Sequence, residues 1–89
     1  MASYELKFKK SVAKDLRAFP KTDVKRIMQR ILSLADDPRP TGCEKLSGQE
    51  RYRVRQGTYR IIYEISDSTL TILVVKIGHR REVYRTRQR

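Results

Sequence analysis

Thiol and imidazole are nearly absent from this 89-residue chain, which has one cysteine, Cys43, and one histidine, His79. A single thiol excludes an internal disulfide, and with a single imidazole it excludes the Cys/His sets that hold structural zinc. No metal site is expected. No His or other base lies near Cys43 in sequence, so it reads as a small loop residue and not as a nucleophile. Long apolar runs are also missing. The longest, residues 70–75 broken by Thr71, is far short of the roughly 18 residues that span a bilayer. Met1-Ala2-Ser3-Tyr4-Glu5 shows no basic region leading into an apolar stretch, so no signal peptide is expected. A reduced, soluble, cytoplasmic protein with no membrane partner is the expectation. Repeats, linkers and low-complexity segments are absent, and the length implies a single domain over residues 1–89 with a modest core.

Acidic residues are scarce: 10 Asp and Glu stand against 21 Lys and Arg, for a formal charge of +11. Residues 1–50 carry 11 basic and 7 acidic side chains, whereas residues 51–89 carry 10 and 3. The basic residue types differ too. The first stretch uses mostly Lys, while nine of the ten in the second are Arg. Lys suffices for solubility, but Arg offers a planar fork that grips phosphate oxygens in pairs and stacks on bases. A polyanion is therefore the expected partner, with RNA, DNA and the ribosome as candidates. An acidic protein partner fits the same charge.

Hydrophobic periodicity gives the elements. Tyr4, Leu6 and Phe8 alternate with Glu5 and Lys7, which predicts a half-buried strand over residues 4–8. Val12, Leu16 and Phe19 then continue from Phe8 at helical spacing, predicting a short helix over residues 10–19 stopped by Pro20. Thr22 or Asp23 can cap a second helix. Its stripe is Val24, Ile27, Met28, Ile31, Leu34 and Ala35, and it ends near Asp36-Asp37-Pro38. Residues 38–48 read as a connector. From Arg51 the signal is β: Tyr52 to Arg55, a turn at Gln56-Gly57-Thr58, Tyr59 to Ile65, a turn at Ser66-Asp67-Ser68, and Thr69 to Ile77, closed by Gly78. The fold class is then α+β in two layers: an N-terminal strand, a helix hairpin, a three-stranded antiparallel meander and a short basic C-terminal tail.

Strand alternation sorts the side chains. Tyr52, Val54, Tyr59, Ile61, Tyr63 and Ile65 must meet the helices, which drives Arg53, Arg55 and Arg60 together on the uncovered face. Their mutual repulsion does not serve folding, and a bound phosphate relieves it. The last strand is apolar on both sides, with Leu70, Ile72 and Val74 against Leu73, Val75 and Ile77, which predicts a central position. The patch it leaves beside the arginines is covered either by the C-terminal residues or by a partner. Beyond Gly78, which lets the chain leave the sheet, come His79, Arg80, Arg81 and Tyr84. Tyr84 can stack on a base or exchange a proton, and the ordinary His pKa of about 6.5 suits His79 to acid–base work.

Four pieces in order carry a resemblance. They are Leu46-x-Gly48; Tyr52-Arg53-Val54-Arg55; Gly57-x-Tyr59-Arg60-Ile61-x-Tyr63; and Gly78-His79-Arg80-Arg81-x-Val83-Tyr84. Over essentially the whole chain this set resembles the RelE/ParE toxin superfamily, and most closely the RelE-type toxins. The resemblance implies a small basic endoribonuclease that cuts mRNA in the ribosomal A site without metal or other cofactor. The 2′-hydroxyl attacks the adjacent phosphate and leaves a cyclic phosphate and a free 5′-hydroxyl. It assigns catalytic positions to Arg53, Arg55, Arg60, Arg80 and Tyr84. Some relatives have Lys at the first two, and Arg is a poorer proton carrier. Acid–base work then falls to His79 or Tyr84, or the arginines act on charge alone. Arg51, Lys76, Arg81 and Arg85 are the expected RNA-binding residues. The implied partners are mRNA, the ribosome with its 16S rRNA, and an acidic, RelB-like antitoxin. The ParE branch shares the fold but inhibits DNA gyrase, which gives the alternative function.

Overall fold

The computed structural model describes residues 3–46 and 50–79. Its elements are β1 (Glu5–Phe8), α1 (Lys10–Ala18), α2 (Lys21–Leu34), β2 (Glu44–Leu46), β3 (Arg51–Gln56), β4 (Tyr59–Ser66) and β5 (Thr71–His79). The strands form one sheet in the order β1-β5-β4-β3-β2. β2 to β5 make an antiparallel meander, and β1 adds to β5 in parallel, with Leu6 opposite Ile72 and Phe8 opposite Val74. The α+β class holds. The meander has four strands and not three, because Glu44–Leu46 in the expected connector pairs with the outer edge of β3. Those residues show little alternation of their own; the unpaired edge of β3 recruits them.

The boundary between the helices comes from Pro20. The residue before a proline is pushed out of the helical region, and Phe19 is extended at φ −90°, ψ 153°. Pro20 itself precedes α2 with no side-chain cap. Thr22 and Asp23, expected as caps, therefore lie inside the first turn. Asp23 there favours the positive end of the helix dipole and accepts a 2.8 Å hydrogen bond from the Tyr59 hydroxyl.

The inner face of the sheet buries Tyr52, Val54, Tyr59, Ile61, Tyr63, Ile65, Ile72, Val74 and Ile77 against Val12, Ile27, Ile31 and Leu34 of the helices. Tyr63 is fully buried, and its hydroxyl donates to the Pro38 carbonyl at 2.7 Å. Burial above all, and then nearby Cys43, pushes the Tyr63 pKa far above its ordinary value, so the hydroxyl stays protonated as a donor.

A bulge interrupts β5. Ile62 faces Lys76 but Tyr63 faces Val74, so Val75 is an extra residue. Strict alternation from Ile72 and Val74 would aim the Lys76 ammonium at the core and put Ile77 on the uncovered side. The bulge resets the phase: Ile77 is buried with the core and Lys76 is exposed. This corrects the expected grouping of Ile77 with Leu73 and Val75. The strand also starts later than expected, because Leu70 takes a left-handed conformation at φ 49° and turns the chain before Thr71. It ends later as well. Gly78 does not end it but sits buried within it, opposite Arg60.

A polar network ties the far end of the sheet together. Arg39 donates to Asp67 at 2.9 Å and to the Tyr52 hydroxyl at 3.1 Å, Tyr4 donates to Asp67 at 2.6 Å, and Lys45 donates to Glu50 at 3.0 Å. Hydrogen bonds from Arg39 and then Tyr4 hold the Asp67 carboxyl below the usual carboxylate range, and Lys45 does the same for Glu50. A carboxyl depressed in the folded state adds stability above its unfolded pKa and loses it as pH falls through the folded one. Thermal melts should therefore be flat from neutral pH to about 5 and fall below about 4, with Asp67→Asn flattening the fall. An unchanged acid limb in that variant would contradict the assignment. In the core, Ile31→Ala should cost about 2–5 kcal/mol in urea unfolding, because Ile31 has no exposed surface.

Candidate nucleic-acid interface

The helices cover one face of the sheet, and the other face carries the arginines. Alternation along β3 places Arg51, Arg53 and Arg55 on this open side, and along β4 it places Arg60, Ile62 and Glu64 there. The β3–β4 register then fixes who meets whom: Arg51 faces Glu64, Arg53 faces Ile62, and Arg55 faces Arg60. The register also sets the ion pairs along the hairpin. Arg51 is tied to Glu64, with Nε 3.1 Å from the carboxylate. Arg53 is ion-paired with Glu44 of β2, its partner on the other side. At the hairpin end, Arg55 and Arg60 lie directly opposite each other. A like-charged pair at that spacing disfavours the sheet.

A cleft of about 230 Å³ opens at this end, lined by Arg55, Gly57, Thr58, Tyr59 and Arg60. Gly57 takes φ +61°, which lets the two-residue turn close tightly. Across β5, the partner of Arg60 is Gly78. Glu44 lies within the influence of all three arginines. Its carboxyl is held below the usual range first by the hydrogen bond from Arg53 and then by that residue's charge, with Arg55 and Arg60 adding to the effect. One point on the open face thus feels all three guanidiniums. Such a site can hold a phosphodiester by forked, charge-assisted hydrogen bonds and can stabilise negative charge that grows on phosphorus.

The expected site residues fall into three groups. Arg53, Arg55 and Arg60 come together as a trio. Arg51 and Lys76 share their face, but Arg51 is held by Glu64, and Lys76 lies 3.5 Å from Asp15 of α1. His79 stands apart. It pairs with Tyr59 on the helix-covered side, its ring edge-on to Tyr59 at 5.0 Å and its Nε2 3.1 Å from the Thr58 hydroxyl. The bulge at Val75 puts it there, because unbroken alternation would have sent it outward with the arginines. Arg80, Arg81, Tyr84 and Arg85 lie outside the described residues. Two participants escaped the sequence reading: Glu44 and Glu64. Glu64 was legible as the neighbour of Arg51 once the hairpin register was known. Glu44 lies in a strand that carries no alternation of its own, so the sequence shows only a connector there.

The chain matches the family described as ParE toxin of type II toxin–antitoxin system, parDE, over residues 6–84. It belongs to that family. It is 27% identical over 86 residues to toxin RelG of Mycobacterium tuberculosis, across 92% of this chain and 97% of that protein. The archaeal RelE–RelB complex from Pyrococcus horikoshii contains a chain with the same fold, at a TM-score of 0.80 and 31% identity, covering 88% of this chain and 96% of that one. The RelB–RelE antitoxin–toxin complex from Methanococcus jannaschii gives a TM-score of 0.72 and 28% identity, covering 90% and 96%. The sequence resemblance to RelE/ParE toxins is thus confirmed. Among the described residues, no helix is long and apolar enough to cross a membrane.

The like-charged Arg55–Arg60 pair makes a testable trade. Arg55→Gln should leave the melting temperature equal or raise it, while weakening binding to single-stranded RNA. The slope of log affinity against log salt should fall by about 0.7, the value of one lost phosphate contact. A lower melting temperature with unchanged RNA binding would remove Arg55 from the interface.

Proposed function

We propose that this toxin is a ribosome-dependent mRNA endonuclease whose chemistry is carried by the open arginine face. The observation that supports this reading is the placement of Arg53, Arg55 and Arg60 together on the open face, with Arg55 directly opposite Arg60 and Arg53 two residues away along β3. In the proposed reaction the mRNA 2′-hydroxyl gives up its proton, attacks the adjacent phosphorus and forms a new P–O bond, and the proton lost there balances the one taken up by the leaving oxygen. The bond from phosphorus to the 5′ oxygen breaks, and that oxygen leaves as a hydroxyl with a proton. The products are a 2′,3′-cyclic phosphate and a free 5′-hydroxyl. Charge accumulates on the non-bridging oxygens in between, and fixed guanidiniums stabilise it without reorganising. The ribosome supplies the in-line geometry, an orientation effect of large magnitude.

In this reading Arg53, Arg55 and Arg60 act on charge, since guanidinium stays protonated. The C-terminal Arg80 and Tyr84 complete the site, with Tyr84 moving a proton at the 5′ oxygen, and Arg51, Lys76, Arg81 and Arg85 contact RNA around it. His79 supports the hairpin tip through Thr58 and Tyr59. No metal or cofactor takes part. The site of action is the cytoplasm, where the ribosomes are. The partner is an acidic antitoxin, a reading supported by the net charge of +11 and by relatives solved as RelE–RelB complexes.

The family description keeps one rival in view, inhibition of DNA gyrase by a ParE-type toxin. Primer extension on total mRNA after induction separates the two. The nuclease reading expects new 5′ ends inside translated frames, insensitive to EDTA in a purified translation system. It also expects a loss of about 10²–10³-fold in Arg60→Ala, the size of a lost oxyanion contact. Intact mRNA together with DNA breaks would favour gyrase and contradict the nuclease.

A further inference from the structure

Arg53 is ion-paired with a carboxylate before any ligand arrives. Glu44 lies opposite it in the β2–β3 ladder, and the charged ends are in contact. Among the described residues, the two other carboxylates near β3 are engaged elsewhere: Glu64 with Arg51, and Glu50 with Lys45 and Tyr52. Glu44 is the carboxylate whose charge is felt together with Arg53, Arg55 and Arg60. It sits on a three-residue edge strand with 57% of its side chain exposed. It can swing into solvent without disturbing the core.

Carboxylate and phosphodiester oxygens use the same donor edges of a guanidinium fork. A phosphate arriving at Arg53 must displace Glu44 or bind beside its negative charge. We infer that Glu44 is a built-in counter-ion of the arginine site, competing with a phosphodiester for Arg53 and setting how tightly a nucleic-acid backbone binds. Its contribution is charge and not proton transfer, because a carboxyl held below the usual range is a weak base at neutral pH. A flexible strand offering one phosphate at a time pays this competition in full. A backbone held with several phosphates in place overcomes it more easily, so Glu44 favours a presented substrate over free single strands.

This inference rests on the reading of the open face as a phosphate site, but its test needs neither ribosome nor cleavage. The probe is a fluorescein-labelled single-stranded DNA oligonucleotide, which lacks the attacking 2′-hydroxyl, titrated by anisotropy at low salt. Compared with the unaltered protein, Glu44→Gln should bind about threefold to tenfold more tightly, the scale of a freed exposed ion pair plus one removed repulsion. Asp36→Asn, which removes an equal charge from an exposed position after α2, should change binding by less than about twofold. In an Arg53→Gln background the gain from Glu44→Gln should shrink to the size of this control. Three results each overturn the inference: Glu44→Gln binding no tighter than Asp36→Asn, a gain that persists without Arg53, or no oligonucleotide binding by any form. A protein that shows the gain yet never cleaves mRNA would keep the counter-ion and discard the nuclease.

Discussion

Gly57 and Thr58 close the β3–β4 hairpin in two residues, setting Gln56 against Tyr59 and, one pair further along, Arg55 against Arg60. Two like charges in direct opposition persist because of what lies on the other face. Val54 and Ile61 are a register pair with no exposed surface, flanked by Tyr52, Tyr59 and Tyr63. Burying one such aliphatic side chain is worth about 1.5–3 kcal/mol, whereas opposed like charges cost up to about 1 kcal/mol. A slip of one residue would relieve the arginines and expose the whole apolar set. The core therefore holds an electrostatic arrangement that the arginines alone would avoid.

Ion pairs run along the same face. Arg51 answers to Glu64, Arg53 to Glu44 and Lys76 to Asp15. At the hairpin end Arg55 and Arg60 stand opposite each other and line a cleft. The carboxylates thus reach into the arginine face itself, with Glu44 held against Arg53 of the trio. The polar network around Arg39 and Asp67 anchors the opposite end, joining the start of β1, the α2–β2 connection and the β4–β5 turn.

Periodicity made most of this legible. Alternation in residues 51–65 placed the trio on one face, and the helical stripe of Ile27, Ile31 and Leu34 named the residues that cover the other. Two features escaped for physical reasons. Glu44–Leu46 has no pattern of its own and becomes a strand only because β3 offers an edge, so Glu44 was unseen. The bulge at Val75 leaves no local signal in a run of β-branched residues, yet it inverts the face of everything after it. His79 was accordingly expected near the arginines and stands instead against Tyr59. The one hint was Lys76, whose charge an unbroken strand would have turned into the core.

The central claim is that three guanidiniums from two strands serve one anion. NMR titration of the arginine Nε–H resonances with a short deoxyribonucleotide, which binds but cannot be cleaved, tests it most directly. The account predicts that the signals of Arg53, Arg55 and Arg60 shift together along one binding curve while that of Arg39, committed to Asp67, stays still. Shifts in the trio that follow separate curves, or that are no larger than those of Arg39, would contradict it.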